Sequence, residues 1–276
     1  MTANVVFERA AQGGALRGFG NLYRKEHRAW WGTRRWWINA LLWTVLLGGL
    51  TALMLFAAAD EVSDASPAEI AQAGGEVGYM LMLGLDMFFQ FGVPVLAIGT
   101  IVLLQDTVVG DRQSGMAAWL LSKPVTRRAY VLAKATANGL GVLVLLIALP
   151  SVVVYGLLSL RLAALYPALH FLAGVGLLTI HTLFYLTLTL MLGTLFNGRG
   201  PILGITLASV LGGGMLGSLI EPLSYVMPWM LPNLARAAAA GEALPAGLGT
   251  AAVVATILWS YLFIFVALYQ FDKVEY

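Results

Sequence analysis

The chain of 276 residues has no cysteine and very little charge. The first absence excludes disulfides, thiolate metal sites and a cysteine nucleophile, and leaves the redox compartment open. Charged residues make up 11% against 59% hydrophobic, with a mean hydropathy of +0.82, a balance no soluble domain of this size carries. Most of the apolar surface must therefore meet lipid. A net charge of +2 gives no pull toward nucleic acid, and neither a groove-reading motif nor a basic soluble domain is present. No G-x-x-x-x-G-K-[ST] occurs, and the run Gly212, Gly213, Gly214 is not followed by lysine, so the chain has no phosphate cradle of its own. H-E-x-x-H, paired intramembrane carboxylates and G-x-S-x-G are missing too, so nothing points to a membrane enzyme. A short apolar core close to Met1, the mark of a cleaved signal, is also lacking, so the N-terminus is expected to be mature and uncleaved.

What is present is a set of long apolar runs. Crossing a bilayer core takes about 20 such residues per helix, and six stretches qualify: Trp37 to Ala59, Tyr79 to Leu104, Ala135 to Leu160, Leu169 to Phe196, Ile202 to Ile220 and Leu248 to Tyr269. The expected fold is all-α, a polytopic membrane protein of six transmembrane helices with no separate soluble domain. Orientation follows from Lys and Arg in alternate connections, because cytoplasmic loops retain positive charge. Arg9, Arg17, Arg24, Lys25, Arg28, Arg34 and Arg35 precede the first helix; Arg112, Lys123, Arg127, Arg128 and Lys134 follow the second; Arg199 and Lys273 complete that side. The opposite side keeps Arg161 and Arg236, and its first loop is acidic, with Asp60, Glu61, Asp64, Glu69 and Glu76. Both termini are expected in the cytoplasm, in the inner membrane of a bacterial or archaeal cell.

Three segments stand outside the spans. Residues 1–36 form a basic arm, and from there into the first span Leu16, Phe19, Leu22, Tyr23, Trp30, Trp36 and Trp37 recur near helical spacing. Such a pattern predicts an amphipathic helix lying in the membrane interface and meeting the first span as an elbow, or a plain basic anchor. Glu26 and Gly32 interrupt its stripe. Residues 105–134, between the second and third helices, are too long for a turn and too patterned for a linker. Met116, Trp119 and Leu120 form a short apolar face beside Asp111 and Arg112, and Pro124 ends the helix. Exposed to cytoplasm, this face wants a partner; the alternative is a solvated positive loop. Residues 221–247 hold Pro222, Pro228, Pro232 and Pro245 among apolar neighbours and read as broken helices on the outer side.

Residues Gln105, Asp106, Gly110, Asp111, Ser114, Gly115, Leu120, Leu121, Ser122, Pro124, Val125, Thr126, Arg127 and Lys134 together resemble the acidic, glycine, leucine and Pro-Val-Ser-Arg pattern of ABC type-2 exporter permeases. The likeness covers most of the chain, though its sharp part spans about 30 residues. Asp106 and Asp111 stand where that family more often has Glu, and Thr126 where it has Ser. The resemblance implies that 105–134 carries a cytoplasmic coupling helix that docks on a separate ATPase subunit, with Asp106, Gly110, Asp111, Arg112, Gly115, Trp119, Leu120, Pro124 and Arg127 as the interface. It further implies two ATPase copies that hold ATP and Mg, none of it bound by this chain, and a second permease subunit, a copy of itself. Under this reading the chain is not itself an enzyme but an export subunit.

Asp86 is the one carboxylate inside a span, and such a residue is either bonded to a neighbouring helix or set on a transport path. The resemblance makes Asp86, Thr206 and Ser209 candidates for lining that path. An ion-gradient transporter using Asp86, and a non-transporting assembly factor, are the competing readings. His170 and His181 are eleven residues apart on one helix, about 16 Å along its axis, so they cannot share a metal; His181 is expected to be a hydrogen-bonded helix contact. The small residues Gly139, Gly141, Gly174, Gly176 and Gly212 to Gly214 are expected to let helices pack closely.

Overall fold

The computed structural model describes residues 14–57, 59–245 and 247–273, and they contain helices and no strand. Arg9 and the rest of residues 1–13 lie outside the described residues, as does the Asp60 side chain. Six helices are long and apolar enough to cross a membrane. They are Arg35–Phe56, a second span from Glu76 to Leu104 in three segments, a third from Arg127 to Leu162, then Ala168–Leu195, Arg199–Leu219 and Leu248–Lys273. An N-terminal helix, Phe19–Trp31, precedes the first.

The third helix starts eight residues before its apolar run. The reason is local: Thr126 adopts extended backbone and its hydroxyl accepts from the Ala129 N–H at 3.2 Å, so a capped helix begins outside the lipid. The second and third spans each contain a π-helical stretch, Met87–Phe91 and Leu143–Ala148. Pro94 and Pro150 follow them and explain the wider turns. Each proline lacks an N–H and its ring crowds the carbonyl four residues back, at Gln90 and Leu146, so the helix opens by one residue.

The fourth span is the most buried of the six, and the fifth and sixth are the least. It packs against the sixth, the second, and the short helix Leu231–Ala240. Glycines set the close approaches. A Cβ at Gly99 would lie 2.2 Å from the Trp43 ring, one at Gly84 2.6 Å from Leu55, and one at Gly174 2.6 Å from the Ala235 carbonyl. Gly141 and Gly213 likewise face the rings of Trp30 and Trp229, whereas Gly139, Gly176, Gly212 and Gly214 have open space in front of them.

The described parts of both termini lie at one end of the bundle, the terminal end. The far end carries three connections, of which 163–167, between the third and fourth spans, is the shortest. Ala59–Asp64 and Pro67–Gln72 join the first two spans, the latter closed by a capping box between Ser66 and Glu69; the hydrogen bonds from Ser66 hold the Glu69 carboxyl below its usual value. Residues 221–247 contain Glu221–Ser224, the 3₁₀ turn Pro228–Met230 and Leu231–Ala240, each with proline in its first turn, where a missing N–H costs nothing.

Candidate functional site

At the terminal end, residues 105–134 fold into two short helices, Val109–Gln113 and Met116–Leu121. Gly115 joins them in a left-handed conformation, φ +72°, which side-chain-bearing residues seldom adopt. Each half of this segment is tied to a different part of the chain. Val125 seats on Gly18, whose φ is +84° and whose added Cβ would lie 2.7 Å from Val125 Cγ2. Thr126 donates from its N–H to the Arg17 carbonyl at 3.0 Å and from its hydroxyl to that of Ala15 at 2.8 Å.

Beneath the two helices lies a buried ion-pair cluster. The Lys134 ammonium, 3% exposed, sits 2.7 Å from Asp111 Oδ2 and 3.1 Å from Glu26 Oε1. The Tyr130 hydroxyl donates to Asp111 Oδ2 at 2.8 Å, and Lys25 lies 3.7 Å from the same oxygen. Burial pushes the Asp111 carboxyl up, but Lys134 through charge and hydrogen bond, Tyr130 and Lys25 outweigh it and leave it below the ordinary carboxylate range. Trp30, buried beside this cluster, donates from Nε1 to Asn138 Oδ1 at 2.9 Å and lies under the Arg35 guanidinium at 4.1 Å. Glu26, which breaks the apolar stripe of the N-terminal helix, is thus the residue that bolts that helix to the third span.

The other charged groups of the segment, apart from Lys123, are committed in the same way. Arg112 donates to the carbonyls of Thr194 and Phe196 and to Asn197 Oδ1, placing a cation where the fourth span ends and its carbonyls lack partners. Asp106 pairs with Arg199 at the start of the fifth span, 2.8 Å, and a Cβ at Gly110 would press on its carboxylate. Arg127 donates to the carbonyl of Asp272 at 2.5 Å and Arg128 pairs with its carboxylate at 3.3 Å, while Tyr130 stacks on Phe271 at 4.9 Å between ring centroids. The segment therefore touches the N-terminal helix, the fourth-to-fifth turn and the end of the sixth span.

What remains exposed is a small cap. Trp119 is 57% exposed and Met116 38%, with Ser114, Gly115, Ala118, Lys123 and Pro124 around them; the Lys123 ammonium lies 4.3 Å over the Trp119 ring. Of the residues singled out in the sequence, Gly115, Trp119 and Pro124 lie on this cap. Leu120 points inward to the cluster that holds Leu22, and Asp106, Gly110, Asp111, Arg112 and Arg127 face the chain itself. Glu26, Tyr130, Asn197 and Asp272, which complete the bracing, carry no local pattern that marks them.

The intramembrane candidates lie elsewhere. Asp86 Oδ1 accepts from Arg236 Nε at 2.9 Å and from Gln90 Nε2 at 3.0 Å, and Arg236 also pairs with Glu242. Thr206 is buried and its hydroxyl donates to the Ile202 carbonyl of its own helix at 2.6 Å. Ser209 Oγ is 3.4 Å from the Tyr185 hydroxyl. His181 is buried, but its Nδ1 has no hydrogen-bond partner, unlike the bonded contact expected. No group of three or more His, Asp or Glu able to hold a metal occurs among the described residues.

Residues 20–276 match the sequence profile described as ABC-2 family transporter protein. The chain belongs to the ABC-2 transporter family. None of the curated proteins matches it. Members of the ABC-2 family are membrane transport components and not themselves enzymes, and membership implies an ABC ATPase as partner. Six apolar helices make this ABC-2 chain a multi-pass membrane protein.

Proposed function

We propose that this protein is the permease subunit of an ATP-binding-cassette exporter, coupling ATP hydrolysis on a separate ATPase to export or conformational work. The observation that carries this reading is the cap at Met116 and Trp119: an exposed aromatic group, with Lys123 over its ring, on a scaffold whose other charged side chains are bonded to the rest of the chain. An unpartnered tryptophan on a rigid support suits a protein contact better than a solvated loop does. Two ATPase copies, holding ATP and Mg, would grip this cap on two permease copies, with the termini in the cytoplasm and the chain in the cell membrane. Force on the cap passes through Asp111, Lys134 and Glu26 to the N-terminal helix, through Arg112 and Asp106 to the fourth and fifth spans, and through Arg127 to the sixth.

The second copy fits the fifth span, where Gly200, Gly204, Ala208 and Gly212 recur every four residues and no atom stands within 4 Å of a Cβ added at the three glycines. Such a small-residue face lets two helices approach closely. Ser209 and Asp86 would then lie near the path between the copies. An ion-gradient mechanism at Asp86 is disfavoured because that carboxylate is already bonded to Arg236 and Gln90.

The absence of cysteine makes the test clean. A Trp119→Cys chain, coexpressed with the ATPase, is expected to react with a membrane-impermeant maleimide only in inside-out vesicles and to be shielded when the ATPase is bound. Labelling in intact cells, or labelling indifferent to the ATPase, would overturn the proposal.

A further inference from the structure

Between the second, fourth and fifth spans lies a half-open cavity of about 200 Å³, bounded by the start of the Leu231–Ala240 helix and the preceding 3₁₀ turn, with Gln90, Gly214 and Asn233 exposed at its rim. Five of its lining side chains are able to hydrogen-bond: Gln90, His181, Tyr185, Trp229 and Asn233. They come from three separate parts of the chain. The construction is specific. Pro94 widens the second span where Gln90 sits, and Gly213 is bare where the Trp229 ring lies, with a Cβ there falling 2.0 Å from its Nε1. His181 is 3% exposed and its ring lies tilted beside that of Tyr185, 5.0 Å between centroids, while its Nδ1 has no partner in the protein.

None of the lining residues is Asp, Glu, Lys or Arg, and the nearby Asp86 is bonded to Arg236. A charged guest would find no counter-ion among these side chains, whereas a neutral one needs none. The walls instead offer both donors and acceptors, with aromatic faces to pack against C–H groups. At about 30 Å³ per water the cavity holds about six waters, or one six-membered ring bearing hydroxyls.

We propose that this cavity is a binding site for an uncharged, polyhydroxylated group, either a free polyol or the hydroxylated headgroup of a neutral lipid. The site stands on the geometry of one chain and is independent of whether an ATPase drives it. Full-length protein in phosphatidylcholine nanodiscs is to be tested with tritiated myo-inositol by equilibrium dialysis, and with monoglucosyl diacylglycerol added to the nanodisc and followed by native mass spectrometry. Saturable binding of one probe molecule per chain is expected for at least one probe, weakened at least tenfold by His181→Leu. Asn233→Ala, at an exposed rim position, gives the same direction without disturbing buried packing, so a misfolded His181 variant does not spoil the test. Inositol binding identifies a free ligand, and lipid binding alone identifies a headgroup. Occupancy by water only, seen as no saturable binding of either probe, overturns the proposal; so does binding untouched by Asn233→Ala, or choline binding more tightly than both.

Discussion

The two ends of the bundle are held by different physics. At the terminal end, charged side chains reach across long sequence separations to bolt helices together around Lys134, Arg112 and Arg127. At the far end the main devices are shape and backbone: Trp229 laid on Gly213, and the Tyr166 hydroxyl donating to the Ala239 carbonyl at 2.9 Å, with the triad of Asp86, Arg236 and Glu242 as the one ionic link made by a span there among the described residues. Ionic bolts outside the lipid give a scaffold that keeps its shape when pushed. Packing contacts without fixed charge slide at lower cost, because no ion is stripped of its partner.

This contrast is open to direct attack, and the largest effect is expected at Lys134. Lys134→Ala leaves Asp111 and Glu26 facing each other without their buried cation, and loss of one partner of such a set costs about 3–5 kcal/mol; chemical denaturation in micelles measures it. Gly141→Leu comes next. Its side chain takes the place of the Trp30 ring, and eviction of a buried tryptophan costs about 3 kcal/mol, seen as proteolytic release of the Phe19–Trp31 helix with the spans intact. At the far end Asp86→Asn is expected to lower stability by about 1 kcal/mol, since the pair with Arg236 is partly exposed and a hydrogen bond survives. Arg128→Ala, which loses only the exposed pair with Asp272, should cost less than about 0.5 kcal/mol. A far-end loss matching that of Lys134→Ala would erase the distinction.

Acid offers a finer probe. Because the Asp111 carboxyl lies below its ordinary value in the folded protein, its contribution is complete above the unfolded value near ~3.9 and is lost as pH falls through the folded one. The protection of amides in residues 105–134, once the intrinsic pH dependence of exchange is divided out, is therefore expected to stay flat from about pH 7 to about pH 5 and to fall only below about pH 4.

The six spans and the family were legible because they are written in local signals: apolar runs of membrane length, and the loop pattern from Asp106 to Arg127. The partners that brace the loop were not. Lys134 and Glu26 are 108 residues apart, Arg127 and Asp272 145, and Asp86 and Arg236 150, distances over which periodicity carries no information. Glu26 looked like a flaw in an amphipathic stripe and proves to be the residue turned to the third span. The role of Arg112 was hidden for the same reason, since its acceptors are backbone carbonyls that any sequence supplies. His181 also departed from expectation, because its missing partner depends on a cavity that only the assembled helices form.

The third span is longer than a bilayer requires. Its 36 residues from Arg127 to Leu162 reach about 54 Å at 1.5 Å each, against a hydrocarbon core of about 30 Å. Its wide turn, Leu143–Ala148, lies near the midpoint. The rod is thus a beam interrupted by one wide turn near its middle, the place where a helix of this kind yields if it bends at all. A stiff beam swung from the Arg127 end would throw its opposite tip the other way; a beam that yields at the wide turn keeps that tip still. How firmly the Leu143–Ala148 turn resists bending therefore sets the gearing between the two surfaces of the membrane.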